Sequence, residues 1–284
     1  MSYPRTIGAA LDMGRRTLKP TSDTPDLDTQ LLLSEVLGQT RTWILTHPDV
    51  EFEGTQSQTF LRDLARCEAG EALPYVLGWW EFYGRRFQLT PEVLIPRPET
   101  ELLIEEALLF LRTHPDRRMA VDIGTGCGCI AVNLAAEIPD LNIVATDIEV
   151  GALRIARNNA CDHHVFSQMW FVQADLLSPL KASFDLICAN LPYIPSEELV
   201  DLVVARREPR SALDGGEDGL QIIDRLMVQI PDLLAPRGRV LLEIGADQAE
   251  AVQTIVQNAI PASIVEVLQD LAGRDRLLMI DRRG

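Results

Sequence analysis

No run of residues in this chain reaches the apolar length that crosses a bilayer, which removes a membrane-spanning helix from the expected architecture. The first residues, Met1-Ser2-Tyr3-Pro4-Arg5, lack the continuous apolar segment of a secretory signal, so a soluble, cytoplasmic protein without a membrane partner is expected. Cys67, Cys127, Cys129, Cys161 and Cys188 are odd in number and contain no Cys-x-x-Cys pair. That pattern argues against a disulfide framework and a zinc ribbon, and reduced thiols are expected. Positive charge is also scarce. Lys and Arg total 26 against 42 Asp and Glu, a formal net charge of −16; such an excess repels a phosphate backbone, so direct nucleic-acid binding is not expected. The best candidates for a local basic patch, Arg85-Arg86 and Arg206-Arg207, are expected to be solvated surface. Internal repeats and low-complexity tails are absent as well.

What is present is an ordinary globular composition, 46% hydrophobic and 24% charged over 284 residues, enough for a main α/β domain with a smaller companion. Residues 1–77 are expected to form a compact helical domain, either a structural cap or a substrate-docking module. In it Thr24 caps a helix that begins at Pro25, turns Leu27, Leu31 and the neighbouring leucines inward, and stops at Gly38. Phe60, Leu64 and Cys67 recur at i, i+4 and i+7 as a second apolar stripe. Residues 78–95, aromatic and β-branched with interruptions at Gly84 and Pro91, suit a β-hairpin linker. Residues 96–284 then open with a helix that has Pro98 near its first position and Glu99 and Glu101 in its first turn.

Beyond that helix, strands are expected at 119–123, 142–146, 170–173, 184–189 and 240–244, with helices at 130–138, 150–159 and 219–234. Alternation of this kind predicts a mostly parallel sheet covered on both faces. The ending differs. A helix at 248–259 leads to strand-like runs at 263–268 and 276–280 around a polar turn, which fits a terminal antiparallel hairpin.

The first strand opens into Gly124-Thr125-Gly126-Cys127-Gly128, a turn that lets a nucleotide-like cofactor approach the backbone closely. Cys129 stands where a dinucleotide fingerprint carries its third glycine, which counts against NAD, and no Walker lysine follows to partner a triphosphate. Asp147 closes the second strand 21 residues after Gly126, where a carboxylate accepts hydrogen bonds from ribose hydroxyls. A nucleoside without phosphates, S-adenosylmethionine, fits this set. At the end of the third strand, Gln173-Ala174-Asp175 offers acceptors to an adenine amino group, and Leu176 a cover for the ring. Asp122 is open to three roles: orienting the loop, polarising a cofactor ammonium, or serving as a buried structural carboxylate. No metal is expected, because Cys127 and Cys129 lack further converging ligands. His163-His164 are expected to be solvated histidines at a helix end.

Asn190-Leu191-Pro192-Tyr193 follows the fourth strand. An amide nitrogen is a poor nucleophile because its lone pair is shared with the carbonyl, so methylating it requires aiming that lone pair and stabilising the developing charge. The Asn190 side-chain oxygen and the Leu191 carbonyl can each accept one N–H of a planar NH2 group, and Tyr193 can pack against its plane. Acceptors placed in this way act as an oxyanion hole with its signs reversed.

At these residues the chain resembles the protein-(glutamine) methyltransferases of the HemK or PrmC family, which methylate the glutamine of the Gly-Gly-Gln loop of peptide release factors. Other parts of the resemblance are Glu81-Phe82 with Phe87, Ile95 to Glu101, Asp122 to Gly128, Asp147, Glu208-Pro209, and Glu243-Ile244-Gly245 with Gln248. It implies an N-terminal helical bundle, a connecting hairpin and a seven-stranded, Rossmann-like class I methyltransferase domain. It also implies that Gly124 through Gly128, Asp147, Leu176 and Asn190 contact S-adenosylmethionine, while Asn190 through Tyr193 receive the glutamine. The usual family loop is Asn-Pro-Pro-Tyr; with Leu191 acting through its carbonyl, function is expected to survive the exchange. Leu176 replaces a frequent aromatic, so weaker adenine stacking is expected. The competing functions are a ribosomal-protein glutamine methyltransferase, an adenine-N6 nucleic-acid methyltransferase, whose exocyclic amine needs the same loop chemistry, and a catalytically silent binding module.

Overall fold

The structure, a computed structural model, describes residues 4–52, 54–178 and 180–283. Two units pack internally, Met1–Trp79 and Trp80–Gly284. No helix among the described residues is long and apolar enough to cross a membrane.

The first unit holds α1 (Ile7–Leu18), α2 (Pro25–Leu37), α3 (Arg41–Thr46), α4 (Gly54–Glu68) and α5 (Leu73–Leu77). Its core joins Ile7, Leu18, Ile44, Phe52, Phe60 and Leu64, with the rings of Phe52 and Phe60 edge-on at 5.6 Å. Two details of α2 differ from expectation. Leu32 and Leu33 are buried with Thr29, whereas Leu27 and Leu31 are only half-buried. The helix turns its 29/32/33 face inward because Thr29 meets α1 at Gly14, where a Cβ would lie 2.3 Å from the Thr29 Cγ2. Thr24 does not cap through its side chain; its hydroxyl donates to Asp28 Oδ1 at 3.0 Å. Gly38 ends the helix in the left-handed region, as its sequence position predicts.

The second unit begins within a hairpin of β1 (Trp79–Phe82) and β2 (Arg85–Gln88), joined by Tyr83 and Gly84. Both turn residues have positive φ, 50° and 69°, the conformation whose twist matches paired strands. A segment without regular structure follows. Helix α6 (Thr100–Thr113) starts later than Pro98, because the Thr100 and Glu101 N–H groups still close turns onto Arg97 and Pro98. Strands and helices then alternate: β3 (Met119–Ile123), α7 (Cys129–Glu137), β4 (Asn142–Asp147), α8 (Val150–Asp162), β5 (Met169–Gln173), β6 (Phe184–Ala189), α9 (Gln221–Leu233), β7 (Leu234–Glu243), α10 (Ala249–Ala259), β8 (Ile264–Gln269) and β9 (Asp275–Asp281). Helix α9 starts two residues later than 219, since Gly219 has φ 75° and belongs to the preceding turn. Strand β7 begins earlier than 240 because Leu234 pairs with Phe184 ahead of a register shift, and it ends before Ile244.

The seven strands lie in the order β5-β4-β3-β6-β7-β9-β8. All pairs from β5 to β7 are parallel, and β9 inserts antiparallel between β7 and β8 as the returning arm of the terminal hairpin. Side chains alternate between two faces. Along β6, Leu186 and Cys188 enter the core beneath α6, α7 and α8, while Ile187 and Ala189 enter the core beneath α9 and α10, joined there by Phe184, which precedes a register shift. Coverage of both faces explains why the strand reads as a continuous apolar run. The chain winds outward from β3 to β5, then returns to lay β6 on the other side of β3. That reversal opens a crevice beyond the carboxyl ends of β3 and β6, where ligands bind in such sheets.

Candidate active site

One cavity, of about 320 Å3, lies at this crevice. Gly124 to Cys127 from the β3 turn, Asp147 from β4, Asp175 and Leu176 after β5, and Asn190 after β6 all line it. Asp147 braces the turn: Oδ2 accepts the Gly126 N–H at 2.9 Å and Oδ1 the Glu149 N–H at 2.9 Å. Burial raises its pKa against the pull of those N–H groups. Each carboxylate oxygen keeps a second lone pair for a ribose hydroxyl. Ile123, Ile130, Ile148 and Leu176 supply apolar wall. Two arginines reach the lining, and both are paired: Arg97 with Glu208 and Arg225 with Asp175. A wall with an acceptor carboxylate, apolar surface and neutralised cations fits a nucleoside better than a phosphate chain.

Asp122 sits behind the turn, fully buried and outside the lining. Its Oδ2 accepts the Thr125 hydroxyl at 2.6 Å and the Ala131 N–H at 3.3 Å, so of its three expected roles the contacts fit the loop-orienting one and the buried structural one. Burial pushes its pKa up to about 7, opposed by those two bonds. The folded state therefore holds a proton that the unfolded chain releases near pH 4. The associated stability is present below about pH 4 and is lost as pH rises through about 7. Asp122→Asn is expected to gain stability relative to the parent progressively over that window, measured as unfolding free energies at several pH values. A difference independent of pH would contradict this account.

A second cavity, of about 350 Å3, adjoins the first. Leu94, Arg97, Asn190, Leu191 and Pro192 line both, and Tyr193 and Glu243 line the second alone. Asn190 Nδ2 donates to Thr100 Oγ1 at 3.0 Å, and Thr100 Oγ1 donates to Glu243 Oε2 at 2.7 Å. The Tyr193 hydroxyl points to Glu243 Oε1 at 3.4 Å. Burial pushes Glu243 up to about 7 despite Thr100 and Arg276, and burial with the Glu243 charge pushes Tyr193 up to about 12. Gln248 Nε2 fixes the Tyr193 carbonyl at 2.9 Å. The Leu191 side chain is buried, and a Cβ on Gly124 would lie 3.1 Å from its Cδ2, so this residue anchors one loop on the other. The buried Glu208 accepts the Ile95 N–H at 3.0 Å and pairs with Arg97, pinning the segment that crosses both cavities.

Several residues stand elsewhere than the sequence placed them. Gly128 does not line the cavity; it faces Ala156 of α8, where a Cβ would meet the Ala156 Cβ at 3.0 Å. Gln173 lies outside the lining, its amide donating to the Ile148 carbonyl, whereas Asp175 stays in the lining with Arg225 paired to its carboxylate. Arg85 is no free cation, being bonded to Asn133 and Glu137. His163 docks on the hairpin, its Nε2 2.8 Å from the Arg86 carbonyl and its ring 5.2 Å from that of Phe87. Thr100, Glu208 and Glu243 fall in stretches that carry the family resemblance, but sequence alone assigns none of them a role. One signal was available for Glu243: a carboxylate ending an apolar strand that stops at the crevice.

The mixed seven-stranded sheet, the glycine turn after its first parallel strand and the acid closing the second define a class I methyltransferase. A methyltransferase from Pyrococcus furiosus shares the fold, with a TM-score of 0.51 at 19% identity over 78% of this chain and 98% of that one. Residues 9–78 match the family described as PrmC N-terminal domain, and residues 100–212 match that described as Methyltransferase small domain. The release factor glutamine methyltransferase of Nitratidesulfovibrio vulgaris is 39% identical over 283 residues, 98% of this chain and 95% of the relative. Its counterpart from Bacillus cereus is 37% identical over 259 residues, 89% of this chain and 91% of the relative. This chain belongs to the release factor glutamine methyltransferase family.

Proposed function

We propose that this chain methylates the side-chain amide nitrogen of the glutamine in the Gly-Gly-Gln loop of peptide chain release factors, using S-adenosyl-L-methionine. The observation that carries it is the lining common to the two cavities, because Asn190 to Pro192 border both and so can set a nucleoside seat next to an acceptor seat. The bound cofactor supplies an electrophilic methyl group. Gly124 to Cys127, Asp147, Asp175, Leu176 and Asn190 hold it, with Gly128 acting from behind the turn. Asn190 Oδ1 and the Leu191 carbonyl accept the two amide N–H groups, and Pro192 and Tyr193 bound the plane. Positioning of this kind supplies up to roughly 7–11 kcal/mol of a barrier when the reactants are held near attack distance. The N–C bond forms as the S–C bond breaks, leaving S-adenosyl-L-homocysteine, and the nitrogen, made acidic by its new bond, gives up one proton to water without a strong base.

In this assignment residues 1–77 dock the release factor, 78–95 form the linking hairpin and 96–284 carry the chemistry; nucleic acid and membrane are not partners. The test is mass spectrometry of a release factor incubated with the protein and isotopically labelled cofactor. One added methyl on the Gly-Gly-Gln glutamine is expected. Labelling of a ribosomal-protein glutamine or of adenine in an oligonucleotide at an equal or greater rate would overturn the assignment. Asp147→Ala is expected to raise the cofactor Kd by about 10- to 100-fold, the worth of a hydrogen bond to a charged group. Calorimetric titration checks it, and an unchanged Kd would remove Asp147 from the ribose role.

A further inference from the structure

We propose that Thr100 and Glu243 lock the polarity of the Asn190 amide, and that this lock makes the acceptor site select a carboxamide over a carboxylate. The inference rests on the methyl-transfer function proposed above. Its basis is a count of hydrogens. Thr100 Oγ1 carries one hydrogen and lies 2.7 Å from Glu243 Oε2 and 3.0 Å from the Asn190 amide. Glu243 is 2% exposed, and burial without a donor is costly for it, so it takes the hydroxyl hydrogen. The hydroxyl then has only lone pairs to offer Asn190. An oxygen facing those lone pairs would be repelled, whereas Nδ2 satisfies them. The amide is therefore held with Nδ2 toward Thr100, and Oδ1 is left for the cavities that Asn190 lines.

A proton on Glu243 does not undo the arrangement. Oε1, which faces the Tyr193 hydroxyl at 3.4 Å, can carry it while Oε2 continues to accept from Thr100. The consequence for specificity is direct. A glutamine amide presents two N–H groups to Oδ1 and the Leu191 carbonyl, but a glutamate side chain presents lone pairs to lone pairs. Sites built to hydrogen-bond one polar group reject analogues lacking it far more strongly than apolar pockets reject a change of shape. Thr100 lines the first cavity and Glu243 the second, but in this scheme their effect on specificity runs through Asn190, which makes them positioning residues.

The experiment compares the parent protein with Thr100→Val, Thr100→Ser and Glu243→Gln. Each is measured for methyl transfer to a release factor and for binding to the same factor with glutamate replacing the accepting glutamine. The parent is expected to prefer the glutamine form by about 100-fold. Thr100→Val, which keeps the shape and lets the amide rotate, is expected to narrow that ratio to within about fivefold and to lower kcat about tenfold, with cofactor Kd within about twofold. Thr100→Ser restores the hydroxyl and is expected to restore the ratio, and Glu243→Gln is expected to narrow it in the same direction as Thr100→Val. If Thr100→Val methylates more slowly while keeping the full preference, the lock is wrong and the function stands. If the parent does not methylate the release factor at all, the function is wrong and the lock falls with it.

Discussion

Asn190→Ala lowers kcat for methyl transfer by about 10²–10³-fold, the usual cost of removing one preorganised hydrogen-bonding group from a charge-stabilising site. Three features of the site lead to this expectation. Asn190 lines both cavities, so in the proposed assignment its side chain borders the donor seat and the acceptor seat alike. Its amide is fixed from behind by Thr100 rather than by solvent, so little reorganisation is needed when charge develops on the substrate nitrogen. The remaining acceptor, the Leu191 carbonyl, holds only one of two N–H groups and leaves the lone pair free to swing off line. The cofactor keeps Asp147 and the glycine turn, so its Kd is expected to change by less than about threefold, well below the cost of losing a charged partner. Single-turnover rates with saturating cofactor, together with calorimetric titration, separate the two quantities. Turnover near the parent rate would dismiss the acceptor role of Asn190.

Gly128→Ala is expected to lower folding stability by about 2–5 kcal/mol, summing a left-handed backbone penalty and local overpacking. Gly128 has φ 82° and caps the start of α7, a conformation that costs a residue bearing a Cβ. The new methyl would also sit 3.0 Å from the Ala156 Cβ and 3.1 Å from its Cα, and a backbone atom within α8 cannot rotate away. Relief requires moving α7 or α8, and α7 carries the turn that lines the nucleoside cavity. A parallel loss of cofactor affinity is therefore expected. Urea unfolding followed by circular dichroism measures the first effect, and a variant within about 0.5 kcal/mol of the parent, the range of neutral surface changes, would show that the helices are not in forced contact here.

Much of this architecture was legible in the chain because its causes are local. Strands β3 and β6 end at the residues where their apolar runs stop, and the left-handed glycine at position 38 closes α2 where the pattern predicted. Element starts were read less well. Pro98 is a favourable first helical residue in isolation, yet the turns closed onto Arg97 and Pro98 delay α6 to Thr100. Likewise Thr24 is a good cap by type, but Asp28 takes its hydroxyl. The inward face of α2 carries Leu32 and Leu33, as the leucine content suggested, but sets Thr29 against Gly14 where Leu27 and Leu31 were expected.

The sequence by itself determined the kinds of chemistry available: a glycine turn, an acid closing the next strand, and a short acceptor loop, each recognisable because its residues are close together along the chain. Only the tertiary structure decided how they are held. Thr100 and Glu243 are separated by 143 positions and Asn190 from Thr100 by 90, and they meet because the start of α6 and the carboxyl ends of the central strands β6 and β7 converge. A hydroxyl, a buried carboxylate and an amide have no mutual preference until folding removes water from between them, so no pattern along the chain could have announced their partnership.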